Sequence, residues 1–219
     1  MSIKPQIHFT HGNGFPAGTY TAFLRELERD YTIDALPMHG HHPAYPVTNG
    51  WSNLAQELMA ELSARYQEPV ILVGHSFGGL LSVLVADQRP DLVRCVVMVD
   101  SPMVTGWRSL ILKTMRRLGW DKKYSPSRFA VKRRQHWNSY QEAFEHFALK
   151  EKFAIWPEQV LHDYLKHGLR NSGAGTDAGA GVGANINNGE GVELAFDRII
   201  ESEIYDTMPA DFGRMLNGV

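Results

Sequence analysis

Four short apolar runs punctuate the first hundred residues, at 6–10, 31–36, 70–73 and 94–99. Each has the length of a strand. The last two are continuous rather than alternating, which predicts strands covered on both faces. Between them the period changes to that of a helix. Residues 19–29 place Tyr20, Phe23, Leu24 and Leu27 on one face, and residues 51–62 do the same with Trp51, Leu54, Leu58 and Leu62. The stretch Leu80-Leu81-Ser82-Val83-Leu84-Val85 is apolar nearly all round, the mark of a buried helix. Strand alternating with helix predicts an α/β fold built on a doubly wound parallel sheet.

At Pro102 the pattern breaks. Aromatic and basic residues dominate from there to about Arg170, no strand is evident, and helical stretches such as 140–152 recur. The reading is a core over 1–101 followed by a helical cap over 102–170. Between Thr105 and Lys150 lie half of the chain's 22 basic residues, against only Asp121, Glu142 and Glu145. Such a run is a solvated helix face, a rim that attracts anionic substrates, or a docking site for an anionic partner. Residues 171–191 are rich in Gly, Ala and Asn and read as a flexible linker without chemistry. A C-terminal segment over 192–219 comes next, with one amphipathic helix expected over 193–208.

Composition narrows the class. The chain has 219 residues, 43% hydrophobic and 21% charged, enough for one domain with a sizeable core. A formal charge of −2 gives no global attraction to nucleic acid. The single cysteine, Cys95, lies in the apolar run 93–99, reads as a small core residue and has no second thiol to pair with. Met1-Ser2-Ile3-Lys4-Pro5 leads straight into the first strand, and no run reaches the length of a membrane span. The expectation is a cytoplasmic protein with a small-molecule substrate, no nucleic-acid partner and no integral membrane association.

Chemistry concentrates at Gly74-His75-Ser76-Phe77-Gly78-Gly79, directly between the third strand and the buried helix. In that context G-x-S-x-G is a strained strand-to-helix turn that stands the serine hydroxyl clear of the sheet. The first strand ends in His11-Gly12-Asn13-Gly14-Phe15-Pro16. A loop of this kind can aim the backbone N–H of Asn13 at the same pocket, while the N–H of Phe77 supplies a second donor. Two such donors are what a developing oxyanion needs. For His11 itself the favoured role is holding the loop. His39, His41 and His42 are close enough to suggest a metal, but no acid or cysteine accompanies them, and neither metal nor other cofactor is expected.

The ordered set His11-Gly12-Asn13-Gly14, Gly74-His75-Ser76-Phe77-Gly78 and Asp100-Ser101-Pro102 resembles the α/β-hydrolase superfamily, and the lobe after Pro102 is similar to the helical cap of many members. The resemblance spans roughly residues 5–170. It implies Ser76 as nucleophile, the backbone of Asn13 and Phe77 as oxyanion hole, and an ester or related acyl substrate. A serine argues against the dehalogenase and epoxide-hydrolase branches, which use aspartate. Asp100 stands where some members carry the acid that orients the catalytic histidine, although most carry it one strand later. It is equally a residue that caps its own turn.

One departure shapes the expectation further. In the family the base is a histidine beyond the last strand, and here no histidine lies beyond His167. The chain looks short by most of two βαβ units. His136, His146, His162 and His167 lie in the cap region, and His75 should leave the turn in another direction. Three readings are open: a serine esterase-like hydrolase, a truncated non-catalytic relative that binds acyl ligands, and an interaction module using the basic cap. With the later strands missing, the fourth strand becomes a sheet edge inclined to self-association, and Ser76 without its base would turn over esters feebly.

Overall fold

The computed structural model describes residues 4–103, 125–173, 191–210 and 212–215. The core runs β1 (Gln6–Thr10), α1 (Thr21–Leu27), β2 (Thr32–Ala35), α2 (Ser52–Arg65), β3 (Val70–His75), α3 (Phe77–Gln88) and β4 (Val93–Val99). All four strands pair in parallel in the order β2-β1-β3-β4. The alternation read from the sequence therefore builds the expected sheet. Its register sets Thr10 opposite Gly74 and His75 opposite Val99. His11, Ser76 and Asp100, each the first residue past its strand, thus gather at one end of the sheet.

Burial obeys the periodicity on one face. Trp51, Leu54, Leu58 and Leu62 turn inward from α2 and its first turn, against an α3 that is buried from Phe77 to Ala86. Each fully buried leucine contributes about 1.5–3 kcal/mol. On the opposite face, Ile7, Phe9 and Val73 meet Tyr20 and Leu24. Phe23, expected on the inner face of α1, is 42% exposed although its ring still touches that of Phe9.

Strand β4 departs from expectation. Val96 and Met98 pack on the core, but Val97 is 47% exposed and Cys95 and Val99 are exposed beside it. Cys95 is therefore a surface thiol, not a core residue. Continuous apolarity marks the strand correctly, yet among the described residues nothing covers this side of it.

The second layer comprises α4 (Ser127–Val131), β5 (His136–Trp137), α5 (Tyr140–Ala148), α6 (Glu151–Ala154), α7 (Glu158–Gly168), β6 (Leu169–Asn171), β7 (Val192–Leu194), α8 (Arg198–Asp206) and α9 (Phe212–Met215). The three strands form an antiparallel sheet in the order β5-β7-β6, with a separate core of Trp137, Phe147, Tyr164, Leu165, Val192 and Phe196. Strands of two or three residues carry no readable alternation, which is why 102–170 looks wholly helical in sequence. The helix expected over 193–208 begins at Arg198, where the Asp197 side chain accepts from Ile199 N at 2.7 Å; the residues before it are strand. Most of the glycine-rich stretch, 174–190, lies outside the described residues. So do Arg108, Lys113, Arg116, Arg117, Lys122 and Lys123 of the basic run. Among the described residues no helix is long and apolar enough to cross a membrane.

Candidate active site

Ser76 joins β3 to α3 with φ 50° and ψ −115°. A residue other than glycine held there costs of order 1–3 kcal/mol. Two backbone bonds hold it, Ser76 N to Val99 O at 2.9 Å and Leu80 N to Ser76 O at 3.3 Å. The flanking glycines are needed for close approach. A Cβ on Gly78 would run into the Thr10 carbonyl, and one on Gly74 into the backbone of Gly79. The half-buried Ser76 hydroxyl does not cap the helix, and among the described residues it has no hydrogen-bond partner.

Phe77 begins α3, so its N–H is one of the four that the helix leaves without an internal acceptor. Across from it, Phe15 N donates to Gly12 O at 3.1 Å and closes a tight turn in which Gly14 takes φ +75°. The Asn13 side chain is turned away, Nδ2 donating to Glu201 O at 2.8 Å, while its backbone N–H has no acceptor among the described residues. Asn13 and Phe77 line one narrow cleft, with Phe15, Phe196, Glu201 and Ile204 among its other walls. Ser76 precedes the lining residue Phe77 but does not itself line the cleft.

His11 holds this loop. Its Nε2 accepts from His39 N at 2.8 Å, which places the ring proton on Nδ1, and Nδ1 donates to Gly12 O at 2.9 Å. Burial pushes its pKa well below the ordinary histidine value, with the neighbouring His39 acting in the same direction. The other histidines of the loop after β2 diverge. His39 lies 3.6 Å from Glu57, His41 donates to His39 O and accepts from Asp197 N at 2.9 Å, and His42 accepts from Ala44 N.

His75 leaves the turn, as expected, away from Ser76. The Tyr20 hydroxyl accepts from Gly12 N at 3.0 Å and donates to His75 Nδ1 at 2.8 Å. Burial lowers the pKa of His75, while the negative charge of Asp100 raises it. Asp100 is exposed, in a left-handed conformation with φ 44°. Among the described residues its carboxylate makes neither a hydrogen bond to a histidine nor a cap to its own turn. Ser101 Oγ instead donates to Val99 O at 3.2 Å.

The histidines of the region expected to form a cap are engaged elsewhere. His136 lies 3.3 Å from Glu193, His162 meets the Tyr140 hydroxyl at 2.9 Å, His146 packs on Trp137, and the ring of His167 fills the space over Gly18. The structure thus brings Asn13, Phe77 and Ser76 together, sets Asp100 beside them at the sheet end, and brings no described histidine to the Ser76 hydroxyl.

No motif marks Glu201, which lines the cleft, or Arg133, which holds it from outside the lining. Glu201, only 3% exposed on α8, accepts from Arg133 Nη2 at 2.9 Å. They are separated by 68 positions, so no local pattern announces the pair.

Residues 9–181 match the Alpha/beta hydrolase family. The chain belongs to that family. Within it, the chain is 36% identical over 107 residues to an sn-1-specific diacylglycerol lipase of Mus musculus, covering 46% of this chain and 34% of the lipase. It is 30% identical over 98 residues to a 2-(acetamidomethylene)succinate hydrolase of Mesorhizobium japonicum, covering 44% and 35%. An esterase of Mycobacterium tuberculosis is 32% identical over 97 residues, covering 44% and 33%. The chain therefore spans well under half the length of these curated relatives. Among solved structures, an E-2-(acetamidomethylene)succinate hydrolase superposes with a TM-score of 0.68 at 18% identity, over 100% of this chain and 70% of that one. The fold is that of the α/β hydrolases.

Proposed function

We propose that this chain is a serine hydrolase acting on a small carboxylic ester or related acyl compound through Ser76. The observation that carries the reading is the backbone of Ser76, strained at φ 50° between β3 and the N-terminus of α3, with no described residue bonded to its hydroxyl. In the proposed reaction Ser76 Oγ attacks the acyl carbonyl and loses its proton to a base. The carbonyl oxygen becomes an oxyanion accepting from the N–H groups of Asn13 and Phe77, and the alkoxide leaving group departs with a proton. Asp100 would orient the histidine that carries the proton. No cofactor takes part. The relatives named lipase, hydrolase and esterase support an acyl substrate of this kind.

A second reading, a hydrolase-fold protein that binds acyl ligands without turning them over, is favoured by one observation. Among the described residues no histidine reaches the Ser76 hydroxyl. Hydrolysis of p-nitrophenyl acetate by the chain and by Ser76→Ala separates the two. Turnover lost in the variant supports Ser76 as nucleophile. Equal turnover in both overturns it and leaves the binder. A fluorophosphonate probe that labels the wild type and not Ser76→Ala would support the nucleophile independently of turnover rate.

A further inference from the structure

The Tyr20 hydroxyl joins the two segments that carry the candidate oxyanion donors. It accepts from Gly12 N and donates to His75 Nδ1, and among the described residues it has no other partner. The directions of these bonds are therefore fixed. The one phenolic proton goes to His75, which is neutral and carries its own proton on Nε2. Burial holds the phenol well above the ordinary tyrosine range and lowers the pKa of His75, with the charge of Asp100 acting against the second effect.

The consequence falls on Asn13. Its N–H belongs to the same planar peptide unit as the Gly12 carbonyl, so the two point in opposite directions. That carbonyl accepts from His11 Nδ1 at 2.9 Å and from Phe15 N at 3.1 Å, which fixes one face of the unit. Gly12 has no Cβ and would let the peptides on its two sides turn independently. The bond from Gly12 N to Tyr20 holds the second peptide. A Cβ on Gly12 would lie 2.7 Å from His75 Nδ1 and 2.9 Å from the Tyr20 hydroxyl, so loop, imidazole and phenol are in direct contact. At the far end of the link His75 closes β3, with Ser76 and Phe77 directly after it. The Tyr20 ring is itself held by Phe9, with centroids 4.7 Å apart.

We infer that Tyr20 is a positioning residue of the proposed hydrolase, its hydroxyl tying the Gly12 backbone to His75 and so setting the aim of the Asn13 N–H relative to Ser76 and Phe77. The effect on turnover rests on the serine-hydrolase reading, whereas the coupling of the two segments does not require turnover. Tyr20 does not line the cleft, so its loss acts on the chemical step and not on substrate binding. Removing an oxyanion donor outright costs about 10² to 10³ in rate, and a donor that is present but misaimed forfeits part of that.

The test is hydrolysis of p-nitrophenyl acetate by the full chain and by Ser76→Ala, Tyr20→Phe, His75→Gln and His75→Leu, each with a urea midpoint and with amide hydrogen exchange over 11–15 and 75–77. Tyr20→Phe keeps the ring on Phe9 and removes the link. Its kcat is expected to fall about 10-fold while KM stays within about 2-fold, and exchange should quicken in both segments. His75→Leu offers the phenol no acceptor and should lose as much, whereas the amide oxygen of His75→Gln replaces Nδ1 and should restore most of that loss. An unchanged kcat in Tyr20→Phe, where Ser76→Ala abolishes turnover, would overturn the proposal and leave the serine reading standing. Equal losses in His75→Gln and His75→Leu would also overturn it, leaving a packing role only. The contrast between those two decides even where Tyr20→Phe fails to fold. Turnover that survives Ser76→Ala removes the serine reading, and exchange then decides the coupling. Faster exchange in both segments keeps it, and no change over 75–77 overturns it.

Discussion

Strain at Ser76 has a measurable counterpart. Glycine is the residue that occupies φ 50° without steric cost, so Ser76→Gly is expected to raise stability by about 1 kcal/mol while removing the proposed nucleophile. Gly78→Ala should do the opposite. Its methyl group would enter the Thr10 carbonyl, and a loss of about 1–3 kcal/mol is expected. Urea midpoints of the two variants check both signs. A third residue sets the pH response. His8 is fully buried on β1, and burial, reinforced by the charges of His39 and Arg65, pushes its pKa down to about 3. The unfolded chain protonates it near 6.5, so stability is full above that value and falls as pH drops from 6.5 towards 3, by about 1.4 kcal/mol per pH unit for this histidine alone. Buried His11 adds to the same slope. Urea unfolding at pH 7, 6 and 5 should show the decline, and His8→Gln should make it shallower. At this scale the sequence was readable where chemistry is local. Gly74 to Gly79 spell out their own turn. Arg133 and Glu201 do not, because nothing near either one marks the other.

Helix α8 is held to the core by backbone groups that would otherwise face water or lie unpaired. Trp51 Nε1 donates to Ile204 O at 3.0 Å, Gly50 N to Thr207 O at 2.9 Å, and Asn13 Nδ2 to Glu201 O. Trp51→Phe keeps most of the buried ring and removes one of these bonds. A loss of about 1 kcal/mol is expected. Amide hydrogen exchange should accelerate over 198–206 more than over β3. The elements themselves were legible to the degree that their period repeats. Helix α2 shows four inward residues at helical spacing, and β1 and β3 show whole apolar runs. Strands β5, β6 and β7 have two or three residues each and exist because they pair across the chain, which leaves no trace in a local window.

At the scale of the molecule, the sheet of described strands ends on β4 with Cys95, Val97 and Val99 turned outward. A strand with open N–H and C=O groups and an apolar face is a template for another strand. The chain is expected to self-associate in light scattering, and Val97→Lys should shift it towards the monomer. A monodisperse wild type would contradict this. The continuous apolarity of 93–99 identified the strand and misjudged its surroundings, since residue type records what a face prefers and not what the rest of the chain places over it.

The antiparallel pairing of β6 with β7 has one further effect. Ser172 N donates to Gly191 O at 2.8 Å, and Asn171 stands opposite Val192, so the two ends of the glycine-rich stretch meet. The fold fixes where that stretch leaves and returns, at two paired strand ends. Closing a longer loop costs only about 0.6 kcal/mol for each doubling of its length. This junction is therefore a graft point. A foreign peptide or small domain exchanged for 174–190 should be displayed beside the β6–β7 pair while the host's unfolding free energy in urea stays within about 1 kcal/mol of its starting value.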